Sequence, residues 1–269
     1  MTIIGTMTIG LGVLVLSTPL SIAAEEIPGE PTGHEIAINV DEREDGDDQI
    51  SEATWTLTNK AGKTRKRHTL RYWKDYEGKD GLSSKSFIYF EFPPDVKDTT
   101  FLNWSQEDYE ADDDQWIYLP ALRKVRRIAS GDKENSFMGS DLIYDDMGDR
   151  EVEEDTFTLL RVEHDNGTKM YVVQAIAKQE NYIYSKRLAW VNAETWTIPK
   201  IEYYDRKGRL LKIMKSDWVQ IEGIWNWEKT VVENQLTGHR TQIDVSKVRF
   251  NQGLKESLFT ERSLRKGAP

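Results

Sequence analysis

Cysteine is absent from all 269 residues. That excludes disulfides, zinc–thiolate sites, cysteine nucleophiles and the acylated cysteine of a bacterial lipoprotein. It does not choose a compartment, because exported proteins can do without cysteine. Histidine is scarce, and the four present (His34, His68, His164 and His239) form no pair at metal-ligand spacing. There is no G-x-S-x-G, no P-loop and no G-x-G-x-x-G, so the common hydrolase and nucleotide-binding signatures are missing. A basic surplus is also lacking. The net charge is -10 and the pI about 5.1, which argues against nucleic acid as a partner.

Only one long apolar run occurs. "MTIIGTMTIGLGVLVLSTPLSIAA" carries no charged side chain over residues 1–24 and gives way to "EEIPGEPTG". The run, its small residues at the end and the polar start that follows read as a signal peptide cleaved near Ala23/Ala24. An uncleaved membrane anchor is the alternative. Either way, residues 25–269 are expected to form one domain outside the cytoplasm, in the periplasm.

What is plentiful is aromatic: nine Trp, eleven Tyr and eight Phe. "HEIAINVDERED" has the spacing of a short helix. Nearly everything after it alternates or forms short apolar runs between Gly, Asn and Asp turns, as in "ATWTLTN", "SFIYFEF", "TTFLNWSQ", "QWIYLP" and, from residue 156, seven regular hairpin segments. This predicts an antiparallel meander. One excursion breaks it, from about Pro120 to Glu154, with an expected helix start at Ser140 or Asp141. Near the C-terminus, "LKESLFTERSLRK" predicts a helical turn.

Chemistry-bearing constellations are few. Asp41, Asp45, Gly46 and Glu52 fit four positions of a calcium loop, but Arg43 falls at a ligand position, so a helix end and turn is the plainer reading. Asp112, Asp113 and Asp114 read as a solvated hairpin tip. No catalytic residue, metal or cofactor is expected. An aromatic, curved sheet with few helices to cover its concave face predicts an apolar cavity.

The stretch "DDDQWIYLPALRKVRRIASGDKENSFMGSDLIYDDM" resembles the signature of the LolA-like family of outer membrane lipoprotein-sorting proteins. "FEFPPDVKDTTFLNW", "YSKRLAWVNAETWTIPKIEYYDRKGRLLK" and "FTERSLR" agree in order, so the resemblance covers most of residues 25–269. It implies a mainly β fold: a strongly curved, open antiparallel half-barrel, with short helices as a lid over an apolar cleft. It also implies a carrier of lipid or lipoprotein acyl chains, and the branch it points to is often associated with RND/MMPL-type exporters of the inner membrane.

On this basis Phe101, Leu102, Trp104, Trp116, Tyr118, Leu119, Phe137, Met138, Ile143 and Tyr144 are expected to contact the ligand. Arg123, Lys124, Arg126 and Arg127 are expected at the rim, facing an anionic headgroup or an acidic partner, with pairing to nearby Asp residues as the alternative. Residues 128–149 are the expected lid, and the protein is expected to be a monomer. An enzyme acting on envelope lipid or glycan through the carboxylates near 112–114 or 141–146, and a structural subunit of an export complex, stay open as other readings.

Overall fold

A computed structural model describes residues 27–267; the expected signal peptide lies outside the described residues. Helix α1 (Gly33–Asp41) starts where the sequence supplies a capping box. Thr32 Oγ1 accepts from the Glu35 amide at 3.2 Å, and the Glu35 carboxylate accepts from the Thr32 amide at 2.7 Å, which satisfies two orphan donors reciprocally.

Thirteen strands follow: β1 (Asp48–Thr58), β2 (Thr64–Asp75), β3 (Leu82–Phe92), β4 (Thr100–Gln106), β5 (Asp114–Leu119), β6 (Lys124–Arg127), β7 (Asp155–Asp165), β8 (Thr168–Ala177), β9 (Tyr184–Asn192), β10 (Lys200–Asp205), β11 (Leu210–Ile221), β12 (Ile224–Asn234) and β13 (Arg240–Phe250). A short helix, α2 (Glu261–Leu264), lies near the C-terminus. All thirteen strands join in one curled antiparallel sheet, ordered β6-β5-β4-β3-β2-β1-β13-β12-β11-β10-β9-β8-β7. The meander is therefore as expected, with one strand more: the basic "KVRR" is β6, not part of the excursion.

Two features of this order position everything else. First, β1 and β13 pair at the centre, Trp55 opposite Ile243, so two local meanders meet at a seam. Second, β6 and β7 are the two free edges, and residues 128–154 connect them. This crossover must traverse the whole sheet, and it does so over the concave face. It contains one-turn 3-10 helices at Phe137–Gly139 and Asp145–Met147 in place of the α-helix expected from Ser140. The reason is local. Met138 and Gly139 both sit at positive φ, and the side chains of Ser136 and Ser140 bond backbone carbonyls, which competes with a helix.

Because every strand pair is antiparallel, the connecting turns fall on two rims. Turns at 59–63, 93–99, 120–123, 178–183, 206–209 and 235–239 share one rim; those at 42–47, 76–81, 107–113, 166–167, 193–199 and 222–223 share the other.

Three clusters bury the apolar side chains. Phe101, Ile117, Ile88, Phe90, Trp55 and Ile243 pack on the concave side against Phe137 and Tyr144 of the crossover. Leu102, Trp116, Phe87 and Tyr72 pack on the convex side beneath Phe259 and Leu264. Ile36 of α1 packs with Leu159, Tyr171, Val173 and Val191 on the strands at the β7 end.

Candidate functional site

The crossover is fastened to the sheet residue by residue. Phe137, 1 % exposed, sits among the rings of Trp55, Phe90, Phe101 and Tyr144 at centroid distances of 5.9, 6.1, 5.1 and 5.5 Å. Gln115 Nε2 donates to the Tyr144 carbonyl at 2.8 Å. Asp141 accepts from Thr241 Oγ1 at 2.7 Å and lies 2.7 Å from His239 Nδ1. Asp146 pairs with Lys212 Nζ at 2.5 Å and accepts from Tyr184 OH at 2.9 Å. At the crossover's end, Arg150 donates to Asp155 at 2.9 and 3.0 Å, and Arg187 of β9 pairs with the same carboxylate. Burial alone would raise the Asp155 pKa, but the two guanidiniums outweigh it and hold the group below the ordinary range.

Between this strap and the sheet lies a cavity of about 900 Å³, within the size range of small-molecule sites. Its back wall is apolar: Trp55, Ile88, Ile201, Met214, Trp227 and Ile243 come from β1, β3 and β10–β13, with Leu142 and Met147 facing them from the crossover. Another part of the wall is polar and charged, with Arg71, Asp113, Gln115, Lys133, Asp149 and Arg187. A second space of about 190 Å³ under α1 shares Arg150, Arg187, Ile198, Ile201 and Tyr203 with the first, so the two adjoin.

The polar wall has two unusual acceptors. Gln115, 1 % exposed, leaves Oε1 without a partner in the protein. Asp113 accepts from the Gln106 amide at 3.1 Å and from Ser105 Oγ at 3.3 Å, yet desolvation pushes its carboxyl up to about 7. Glu151, just beyond the cavity wall, is likewise pushed up to about 7 by burial. These groups can hold a donor or a proton. They do not assemble a nucleophile. In the Asp141–His239–Thr241 group the threonine hydroxyl donates to the Asp141 carboxylate and accepts from the Asp141 amide, and none of the three lines the cavity, so the group fastens the crossover.

None of the ten positions expected to contact a ligand lines the cavity. Phe101, Leu119, Phe137, Met138 and Tyr144 are on the concave side but pack solidly together. Ile143 is in the crossover, bridged to Ser136. Leu102, Trp104, Trp116 and Tyr118 are on the convex face, where Trp104 Nε1 donates to the Phe259 carbonyl at 2.9 Å. The basic cluster splits as well. In β6, Lys124 and Arg126 stand opposite Leu119 and Ile117, and Arg127 opposite Trp116, so the cations alternate between faces. Arg127 pairs with Asp114, and Arg126 lies 3.9 Å from Asp132. Charged side chains on a free edge strand also discourage edge-to-edge pairing. The cations at the cavity are others, Arg71, Lys133, Arg150, Lys178 and Arg187. Sequence reasoning missed them because they are scattered over four segments and meet only in space.

A family model described as an uncharacterized protein matches residues 83–266. Among solved structures, a DUF1329 family protein from Desulfovibrio piger is 35 % identical with a TM-score of 0.82, over 86 % of this chain and 97 % of that one. A domain from Vibrio parahaemolyticus named for outer membrane lipoprotein sorting is 33 % identical with a TM-score of 0.81, over 87 % and 98 %. A LolA superfamily protein from Nitrosomonas europaea shares the fold at 19 % identity, with a TM-score of 0.68 over 87 % of this chain and all of that one. No curated protein matches in sequence.

Proposed function

The chain belongs to the DUF1329 family of LolA-like proteins, and from that premise we propose that it is a periplasmic carrier that holds an acyl chain of a lipid or lipoprotein. The observation that carries this reading is the divided cavity. Its apolar back wall, of Trp55, Ile88, Met214, Trp227 and Ile243, suits hydrocarbon. Its polar wall, with the free Gln115 Oε1 and the cations Arg71 and Lys133, suits a headgroup that offers both donors and negative charge. A ligand for such a space is an amphiphile. The likeness to a domain named for lipoprotein sorting supports the same reading. The site binds and does not catalyse, and the protein works as a single-domain monomer. An RND/MMPL-type exporter is the candidate donor of the cargo.

Residues 128–149 are the lid in this reading, because they supply the wall that faces the sheet through Leu142 and Met147. Among the described residues no helix is long and apolar enough to cross a membrane, and the lid is a strap, not an anchor.

Lipid extracted from the purified protein, identified by mass spectrometry, tests the cargo. Met214→Glu and Ile243→Glu test the site, since a carboxyl set against hydrocarbon without a partner costs several kcal/mol, on the order of 2–7, even when it takes up a proton to avoid the larger cost of a buried charge. Both variants are expected to lose a bound fluorescent fatty acid. Folded variants that bind it as the parent does would place the ligand elsewhere.

A further inference from the structure

The two rims of the sheet carry opposite charge. The turns at 42–47, 76–81, 107–113, 193–199 and 222–223 are dominated by Asp and Glu, with Arg43 and Lys79 the only cations among them. The other rim reverses this. Its turns hold Lys60 and Lys63, Lys97, Arg123, Lys178, and the run Arg206, Lys207 and Arg209, against three acids, Asp95, Asp98 and Glu180. The strand ends beside these turns add Arg65, Lys66 and Lys124, against Glu91, Asp205 and Glu233. The rim is not one flat end: the twist of the sheet brings its 178–183 and 206–209 turns beside the acidic 107–113 turn, with Lys178 Nζ over the Tyr109 ring at 5.6 Å and Arg206 paired with Glu134, next to the Lys133 that pairs with Asp112, so the cations kept apart from acidic turns are those at 59–66, 97 and 123–124.

Most of that charge is unspent within the protein. Arg206 pairs with Glu134, and Arg209 with Asp205 at 2.7 Å. Lys60, Lys63, Arg65, Lys66, Arg123 and Lys207 are all exposed, and none has a salt bridge among the described residues.

A second, independent observation falls on the same rim. Leu122 at its 120–123 turn is 63 % exposed, Leu236 at 235–239 is 47 % exposed, and Phe92 beside 93–99 is 46 % exposed. Leu122 and Leu236 sit at turn tips outside the three core clusters, Phe92 ends β3 against the His68 ring at 5.4 Å, and all three are interleaved with free cations.

We infer that the stretch of this rim formed by the neighbouring turns at 59–63, 93–99, 120–123 and 235–239 docks the protein onto an anionic lipid surface. The cations meet headgroup phosphates, and Leu122, Leu236 and Phe92 enter the boundary between headgroups and acyl chains. The acidic turns at 42–47, 76–81 and 107–113 lie at the other ends of the same strands, so the charge separation also orients the molecule as it approaches. An acidic protein surface would satisfy the cations but gives the three scattered apolar tips no common pocket. The inference does not depend on what the cavity holds.

Co-sedimentation with vesicles tests it, using phosphatidylcholine alone and phosphatidylcholine mixed with phosphatidylglycerol, at low and high salt. Binding is expected only to the mixed vesicles and is expected to fall with salt. Each cation near such a surface is worth roughly fivefold in affinity, so Lys60→Gln, Lys63→Gln and Arg65→Gln together should weaken binding about a hundredfold. Leu122→Ser with Leu236→Ser should weaken binding and leave its salt dependence unchanged. Asp108→Asn with Glu110→Gln, on the opposite rim, should not weaken it. All these positions are exposed, so circular dichroism should show the fold intact. Equal binding to neutral and anionic vesicles, no binding to either, or indifference to the lysine and arginine substitutions overturns the inference.

Discussion

Lys212→Met should be among the most damaging single substitutions in this protein, and Asp146→Leu should largely cure it. Lys212 in β11 is 2 % exposed, and its Nζ is 2.5 Å from Asp146 in the crossover. Removing one member of a buried pair strands the other charge, at a cost of about 3–5 kcal/mol; removing both with apolar groups of similar size is close to neutral. The surroundings grade the two singles. Without Asp146, the ammonium keeps the Asp141 carbonyl at 3.2 Å and the faces of Tyr184 and Tyr203 at 5.0 and 4.7 Å, which softens the loss toward the lower figure. Without Lys212, Asp146 keeps the Tyr184 hydroxyl at 2.9 Å and the Ile143 amide at 2.8 Å, but its negative charge has no counter-ion. Urea unfolding followed by tryptophan emission gives the comparison, with a midpoint lowered by about 1–2 M for each single at a slope of about 3 kcal/mol per M. The coupling in the double-mutant cycle should exceed about 2 kcal/mol. Losses below about 1 kcal/mol for both singles, or a double variant as unstable as their sum, would refute the claim that this pair fastens the strap.

Phe137→Ala empties the aromatic cage formed by Trp55, Phe90, Phe101 and Tyr144 and should cost about 3–5 kcal/mol, read from the same urea curves. Gly33→Ala should lift α1 from the sheet, because a Cβ there would stand 2.6 Å from the backbone nitrogen of Thr158; a loss of about 1–3 kcal/mol in thermal unfolding is expected. Asp113 and Glu151 have folded-state pKa values raised to about 7, above their unfolded values, so their ionisation opposes folding. Their effect on stability is absent at low pH, grows between about pH 4 and 7 and is complete above 7, so lowering the pH from 8 to 5.5 should stabilise the protein by about 1 kcal/mol for each of these half-buried groups. Asp113→Asn and Glu151→Gln together should flatten that dependence in urea midpoints measured at the two pH values. Hydrogen exchange at residues 137–147 should quicken when lipid binds if the strap is the lid; equal protection in both states would count against that role.

Much of the architecture was legible in the sequence because its signals are local. "NKAGK", "RKGR" and "LTGH" turn the chain at the positions where alternating segments end, and the one break in the rhythm coincides with the one long connection. The face assignment was not legible, and the reason is physical. Alternation marks the buried face only where the other face meets water. In β4 and β5 both faces are covered, the concave one by the crossover and the convex one by residues 254–264, so Phe101 and Leu102, or Trp116 and Ile117, are equally apolar and equally buried. Period-2 reasoning then cannot say which member of each pair looks inward. The cavity was illegible for a different reason. Its back wall draws on β10 to β13, about a hundred residues from the segment at 112–128, and only the β1–β13 seam brings the two regions together.

That seam also sets the order of events as the chain is made. The first strand of the sheet pairs with the last, Thr58 with Arg240. During synthesis β2 to β6 can fold onto β1 at once, but the other margin of β1 has no partner until the final strand emerges. Throughout that interval a row of unsatisfied backbone groups along Asp48–Thr58 is a template for another nascent chain. The closing step must then bring together segments separated by most of the polypeptide, which makes it slow by topology alone. Chains truncated before β13 should therefore aggregate even though all the strands of the first meander are present.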